Sequence, residues 1–235
     1  MNLYICGQKA FGESVYKMAV EEGHRVVGVS CPLTSSSRED WPDRLRAAAV
    51  ADRVPVLLPG ILSADTLPDN VDVILAAHSH DFIGRRTRLR ARLGAIGYHP
   101  SLLPLHRGRD AVRWAIKMGD RITGGTVYWL SDTMDAGDIA AQDWTFIRAG
   151  DTASELWRRE LFPMGVRLFR AVLHDLANGI EVRIPQDHHL ATWEPSWERP
   201  PVRRPDLLLL GDGSWNRAVC TDFETARHRR CNSAE

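Results

Sequence analysis

NLYICGQKAFGESVYKMAVEEGHRVVGVS, residues 2–30, carries a complete strand–helix–strand pattern. An apolar run at 2–6 ends at Gly7, apolar positions then recur at helical spacing over about 11–22, and a second apolar run follows at 25–30. Two short apolar runs joined by an amphipathic helix are typical of neighbouring parallel strands with a crossover helix. The stretch therefore predicts an α/β fold.

The same alternation continues through the first half of the chain, and it predicts a mostly parallel, twisted sheet with helices on both faces. The carboxyl ends of such strands share one edge of the sheet, where active loops gather. Cys6, Ala76 and Tyr98 stand at these ends. The predicted elements are helices at residues 40–52 and 82–93 and strands at 54–58, 71–76 and 94–98.

The pattern changes after Gly108. A helix is predicted at 110–118, and strands at 123–130 and 139–147 indicate a hairpin-like pair added to the sheet, with Asp135 in the connection.

A long helix should follow this hairpin. It begins at the capping box of Thr152 and Glu155, is kinked by Pro163 and ends at Asn178-Gly179. We expect residues 1–184 to form the catalytic domain and residues 185–235, rich in Pro, Trp and charge, to form a wrapping tail whose end, 221–235, is disordered.

Composition excludes several classes of protein. The chain has 235 residues with 30 basic and 30 acidic side chains, so its formal charge is zero and an extended nucleic-acid surface is not expected. No CxxC pair occurs among Cys6, Cys31, Cys220 and Cys231, so a zinc or redox motif is not expected, and Cys6 and Cys31 suit a core. Neither a signal peptide nor a membrane-spanning run is recognisable. We expect a cytoplasmic protein.

His99 is the strongest candidate for chemistry. It lies between two prolines in GYHPSLLP, residues 97–104, and a Met134-Asp-Ala-Gly-Asp138 turn follows further along the chain. His99 and Asp135 would form an acid/base pair on two loops. Other interpretations stay open: His99 as a structural histidine, Asp135 as an ordinary turn residue, or Asp138 as the functional acid.

Four other motifs are ambiguous. The glycine turn from Gly7 to Gly12 suits an anion at a helix N-terminus, but it matches neither GxGxxG nor a P-loop, so a plain tight turn is the simpler interpretation. Arg107-Gly108-Arg109 either binds an anion or is solvated. His78-Ser79-His80-Asp81 favours a pocket wall, and His188-His189 lacks partners at metal-ligand spacing.

HPSLLP followed by RG, the TGGT segment at 123–126 and the DAGDI segment at 135–139 resemble the folate-dependent formyltransferase family. The family includes glycinamide ribonucleotide and methionyl-tRNA formyltransferases. The likeness extends over about residues 1–193 and is greatest to the N-terminal hydrolase domain of 10-formyltetrahydrofolate dehydrogenase, whose YHPSLLPRHRG, LFPxG and GQSLFG motifs look like segments at 98–108, 161–165 and 7–12.

The resemblance implies a Rossmann-like formyltransferase fold that takes 10-formyltetrahydrofolate as cosubstrate. It implies a reaction in which an amine of a small molecule is formylated; hydrolysis to formate and tetrahydrofolate is the alternative, and folate binding with little catalysis is a third. The partners are then a folate and a small acceptor, with no membrane and no metal. The resemblance implies catalytic roles for His99 and Asp135, folate contacts for Ala77, Phe82, Ile83, Tyr98, Met134, Ala136 and Gly137, and substrate contacts for Gly7, Gln8, Phe11, Gly97, Arg107 and Gly108.

One position departs from the family pattern. The first motif of the family is Asn-x-His, and this chain has Gly97 at the position of the Asn. Formyl transfer develops an oxyanion on a tetrahedral carbon, and losing one donor to such an oxyanion typically costs about 2.7–4 kcal/mol of barrier. Backbone N–H groups, a water or the substrate would have to replace the amide.

Overall fold

The computed structural model of the chain describes residues 1–35, 38–79, 81–194 and 197. A seven-stranded sheet forms the centre, in the order β5-β2-β1-β6-β7-β8-β9. The predicted fold class is confirmed. The strands are β1 Asn2–Gly7, β2 Arg25–Ser30, β5 Val56–Leu57, β6 Val73–Ala77, β7 Gly94–His99, β8 Ile122–Trp129 and β9 Ile139–Phe146, and β3 Thr34–Ser35 pairs with β4 Arg38–Pro42 in a separate two-stranded sheet.

The five strands β5, β2, β1, β6 and β7 are parallel, as predicted. Their central members are almost continuously buried, because apolar clusters cover both faces of the sheet. Helix α1 (Lys9–Glu21) packs in the first cluster. Cys6 and Cys31 are fully buried in these clusters, in agreement with the sequence interpretation.

The predicted hairpin is also confirmed. Strands β8 and β9 pair antiparallel, β8 pairs antiparallel with β7, and Asp135 lies in the β8–β9 connection. Helix α4 (Ala111–Met118) leads into β8.

The helix predicted at 40–52 is wrong in its first turn. Strand β4 runs to Pro42, and helix α2 (Arg44–Ala51) begins only after Asp43. A residue before proline is disfavoured in the helical region, which keeps Trp41 extended. The Asp43 side chain then caps α2 by accepting from the Leu45 N–H at 3.0 Å.

The helix predicted at 82–93 is mostly wrong. A single turn, α3 (Arg85–Arg88), forms after Gly84. The chain then bends, so that the N–H groups of Arg92 and Leu93 bond to the carbonyl groups of Val71 and Asp72. These long-range bonds, which sequence periodicity cannot reveal, compete with the helical ones.

The long C-terminal helix begins at the predicted capping box and has Asn178 at its C-cap. It consists of α5 (Ala153–Leu156), a π-helical turn at Trp157–Leu161, and α6 (Phe162–Ala177). Pro163 was expected to kink it near the middle. The helix is irregular in the turn before Pro163. Pro163 has no N–H that could bond to the carbonyl of Arg159, and its ring crowds that carbonyl.

Residues 185–194 pack against the loop that follows β7. Trp193 pairs with Arg107 in an isolated bridge, and Thr192 bonds to both His106 and Arg107. The segment that follows the expected boundary at 184/185 therefore contacts the loop after β7. The disordered end predicted at 221–235, with Cys220 and Cys231, lies outside the described residues. No helix of the described residues is long and apolar enough to cross a membrane.

Candidate active site

The strand ends place the candidate residues along one edge of the sheet. In the ladder, Gly7 lies opposite Ala77, Ala76 opposite Gly97, and His99 opposite Thr126. Four non-glycine residues of the loops at this edge have positive φ angles: Lys9, His78, His106 and Asp135. Such strained conformations often gather at functional sites.

His99 is buried, and its orientation is fixed by one hydrogen bond. Its Nε2 lies 2.7 Å from the carbonyl oxygen of His106. A carbonyl oxygen can only accept, so Nε2 carries the proton. Nδ1 faces Asp135, whose Oδ2 lies 3.6 Å away. Nδ1 is therefore the atom available for proton transfer.

Both oxygens of Asp135 accept strong hydrogen bonds. The N–H of Gly108 donates to Oδ2 at 2.7 Å, and the hydroxyl of Tyr128 donates to Oδ1 at 2.6 Å. Of the two acids that the sequence left open, the structure brings Asp135 to His99. The backbone carbonyl of Asp138 instead accepts from the N–H of Trp129 within the hairpin.

The turn after Asp135 is tight because the backbone approaches itself closely. A Cβ at Gly137 would lie 1.8 Å from the carbonyl oxygen of Trp129, so no larger residue fits there. Ala136 is half-buried, and Met134 is 61% exposed at the rim of the turn.

A buried polar network supports this turn from behind. Gln186 donates through Nε2 to the carbonyl oxygens of Asp135 and Gly137, at 2.9 and 2.7 Å. Its Oε1 accepts from Nε and Nη2 of Arg107, at 3.2 and 2.6 Å. Burial lowers the pKa of Arg107, while the charge of Asp135 acts in the opposite direction. Arg107 is thus part of the framework of the site, and Arg109 is exposed.

Two loops lie side by side at the edge, the one after β6 and the one between β8 and β9, because Arg88 bonds to both. Ile83 is buried, whereas the neighbouring Phe82 is 86% exposed, and Ala77 is buried at the end of β6. Arg88 ties the loops together: it donates to the carbonyl oxygen of Ile83 at 2.8 Å and to Asp132 at 2.5 Å.

A cavity of about 370 Å³ opens at the ends of β1 and β6. It is lined by two cations, Lys9 and Arg158, by His78 and by aromatic rings, together with Ala10 and Ser154. The aromatic lining residues are Phe11, Trp157 and Phe162.

The glycine turn between Gly7 and Gly12 is less suited to anions than its sequence suggests. The N–H of Lys9 already donates to Asp43 at 2.7 Å, so a carboxylate lies at the start of α1. Gln8 is the buried residue before the helix, and a Cβ at Gly7 would lie 2.5 Å from the carbonyl oxygen of Ala77.

Tyr98 points to the other face of the sheet from His99, because successive strand residues alternate. Its hydroxyl donates to the carbonyl oxygen of Leu161 at 2.7 Å, and its ring packs 5.3 Å from that of Phe11. The structure thus places Tyr98 in the core behind the site. Phe11 lines the cavity but is only 1% exposed.

Gly97 shares the His99 face and lies opposite Tyr128. Its missing side chain leaves no empty space. A Cβ there would lie 3.0 Å from Cδ2 of Leu130 and 3.4 Å from Cε1 of Tyr128.

Sequence reasoning missed Tyr128, Gln186 and Arg88. Their roles depend on cross-strand register and on contacts between distant segments. Every residue of β8 after Ile122 is buried, so alternation along the strand does not single out Tyr128. Among the other candidates, Nδ1 of His188 lies 3.0 Å from Arg107, and His80 lies outside the described residues. No cluster of metal-ligating side chains occurs among the residues that the structure describes.

Residues 62–172 match the model of the formyl transferase family. The cytosolic 10-formyltetrahydrofolate dehydrogenase of Xenopus laevis is 33% identical over 219 residues, 85% of this chain and 24% of that protein. The methionyl-tRNA formyltransferase of Chloroflexus aurantiacus is 34% identical over 205 residues, 82% of this chain and 64% of that protein. This chain therefore spans about a quarter of the length of the dehydrogenase that it matches.

The fold agrees with these matches. The crystal structure of an N-formyltransferase from Helicobacter canadensis, in complex with folinic acid and dTDP-3-aminofucose, superposes with a TM-score of 0.67 at 16% identity, covering 86% of this chain and 74% of that one. Fold and site together define an α/β protein of the Rossmann-like formyltransferase class. Residues 62–172 match the formyl transferase family, as the motifs in that part of the chain predicted.

Proposed function

We propose that this chain transfers the formyl group of 10-formyltetrahydrofolate to an amine of a small molecule. The observation that carries the proposal is the buried His99–Asp135 pair, with one ring nitrogen committed to a carbonyl and the other facing a carboxylate at 3.6 Å. An imidazole that can gain and lose a proton near neutral pH suits this chemistry.

The cavity and the loop that carries Phe82 lie against different core clusters. Phe11 of the cavity belongs to one cluster, and Ile83, next to Phe82, belongs to the other. We assign the folate to the region between the loop after β6 and the Met134–Gly137 turn, because the exposed Phe82 offers an apolar surface for a flat ring and the backbone of the turn offers polar groups.

We assign the cavity to the acceptor. Its volume of about 370 Å³ suits a small molecule, and Lys9 and Arg158 give it positive charge beside the ring of Trp157.

The proposed reaction forms a bond from the acceptor nitrogen to the formyl carbon, and the carbonyl electron pair moves onto oxygen. His99, with a proton on Nδ1, stabilises this oxygen, and Asp135 orients the ring. Collapse of the adduct breaks the bond from carbon to N10 of the folate. His99 gives its Nδ1 proton to N10 and then takes up the proton that the acceptor nitrogen loses, which restores the ring and gives a formamide and tetrahydrofolate.

A second candidate uses water as acceptor and yields formate and tetrahydrofolate. The likeness to the dehydrogenase over 85% of this chain supports it. The same His99–Asp135 pair serves both reactions, so the acceptor alone distinguishes them.

Release of tetrahydrofolate from 10-formyltetrahydrofolate, with and without a panel of small amines, tests the proposal. Release that requires an amine, with the matching formamide detected by mass spectrometry, supports transfer. Release in buffer alone that no amine accelerates would point to the hydrolase, and absence of release in every condition would refute both enzymatic functions.

A further inference from the structure

The Tyr128 hydroxyl contacts the carboxylate of the catalytic pair directly. It donates to Oδ1 of Asp135 at 2.6 Å, and the Tyr128 side chain is buried. The opposite oxygen of Asp135, Oδ2, takes the N–H of Gly108 and faces His99. Two donors on two different oxygens fix the rotation of the carboxylate about its Cβ–Cγ bond, which a single donor would leave free.

Tyr128 and Gly97 are direct cross-strand partners. A Cβ at 97 would lie 3.4 Å from the Tyr128 ring, an ordinary contact distance. The Tyr128 ring therefore borders the space that a side chain at 97 would enter.

The phenol is suited to donate and unsuited to act as a base. Burial raises the pKa of Tyr128 well above its ordinary value, and the charge of Asp135 and the hydrogen bond to it raise it further. Tyr128 consequently keeps its proton on the bond to Asp135 at neutral pH.

We infer that Tyr128 is a positioning residue that holds Asp135 in register with His99, in a site where Gly97 supplies no side-chain donor. The inference rests on the proposed function for its kinetic consequence. Removing a hydrogen bond to a charged group typically costs about 1.5–3 kcal/mol, which corresponds to about a 10- to 150-fold change in rate.

Tyr128→Phe tests the inference, because it deletes only the hydroxyl. We expect kcat for tetrahydrofolate release to fall about 10- to 150-fold while KM for 10-formyltetrahydrofolate stays unchanged. Tyr16→Phe is the matched control: the Tyr16 hydroxyl also donates to an aspartate, Asp52 at 2.8 Å, in helix α1 away from the site. It should change stability without changing kcat.

A second readout does not depend on turnover. In the ¹⁵N spectrum of the histidine rings, Tyr128→Phe should move the His99 Nδ1 resonance, and Tyr16→Phe should leave it in place. An inactive wild-type protein would refute the proposed function alone, since the resonance still reports on Asp135. If Tyr128→Phe leaves the His99 resonance in place, or leaves kcat of an active enzyme unchanged, the inference is wrong.

Discussion

His99 can offer a substrate only one of its two ring nitrogens, since Nε2 donates to the carbonyl oxygen of His106. That carbonyl belongs to a residue with a φ of 54°, so the orientation of the catalytic ring is coupled to a strained backbone position. The backbone of the loop after β7 thus determines which ring nitrogen of His99 is available for proton transfer.

His99→Ala removes this proton carrier. We expect kcat for tetrahydrofolate release to fall about 100- to 10,000-fold, the usual contribution of general acid–base catalysis, with folate affinity retained. Kinetics and calorimetric titration with the folate separate the two quantities. The control is His174→Ala, an exposed histidine of α6, and full activity of the His99 variant would contradict its assigned role.

Gln186 joins the Asp135 turn to Arg107. Gln186→Ala removes two hydrogen bonds of the buried Arg107 guanidinium, so the free energy of unfolding should fall by about 1–3 kcal/mol. Urea unfolding measures the loss. Gln142→Ala also removes an amide with two hydrogen bonds, but from an exposed position, and should cost less. An equal loss in both variants would argue against a special role for the buried network.

At the scale of elements, Asp43 connects two helices. Its carboxylate accepts from the N–H of Leu45 at the start of α2 and from the N–H of Lys9 at the start of α1. One buried side chain thus satisfies donors at two helix termini, which explains how these helices hold a fixed relation to the edge of the sheet.

Asp43→Ala should therefore destabilise the protein more than Thr152→Ala. The Thr152 cap of α5 is exposed and serves one helix, and such caps are typically worth about 1 kcal/mol. Chemical denaturation of the two variants gives the comparison. If Asp43→Ala costs no more than Thr152→Ala, the bond from Lys9 to Asp43 contributes nothing to stability.

Most elements could be predicted from the sequence because buried strands and amphipathic helices carry local patterns. Strand β2 is bounded as predicted, Arg25–Ser30. The helix expected at 82–93 failed because bonds to Val71 and Asp72, distant in the chain, outweigh local periodicity. The first turn expected at residue 40 failed because Pro42 restricts its neighbour.

The residues of the candidate site could likewise be predicted only where local motifs mark them. His99 and Asp135 stand in short motifs, so the sequence pointed to them and to the loops that bring them together. Tyr128 and Gln186 contact Asp135 only through strand register and long-range packing. Local patterns contain neither of these relations, so these two residues could be recognised only in three dimensions.

At the scale of the whole molecule, three distant segments meet at His106. Its Nε2 lies 2.7 Å from Asp120, after α4, and its Nδ1 lies 3.1 Å from Glu194, in the C-terminal segment. Burial alone lowers the pKa of His106, but the two carboxylates outweigh it and the pKa is raised.

This raised pKa makes stability depend on pH in a defined direction. The contribution of the charged His106 is complete below its ordinary pKa of about 6.5 and is lost as pH rises through the raised value of the folded protein. We expect the stability difference between wild type and His106→Gln to shrink as pH increases from 6 upward. Urea unfolding across a pH series measures it, and a difference that is constant or grows with pH would contradict this account.

The crowded surroundings of Gly97 have a consequence for the evolvability of the site. A Cβ at 97 would lie 3.0 Å from Cδ2 of Leu130, so a side chain there requires Leu130 to move by a few tenths of an ångström, whereas Tyr128 at 3.4 Å stays in ordinary contact. Position 130 is therefore coupled to position 97. A library varied at positions 97 and 130 together should yield more stable Asn-bearing variants than a library varied at position 97 alone.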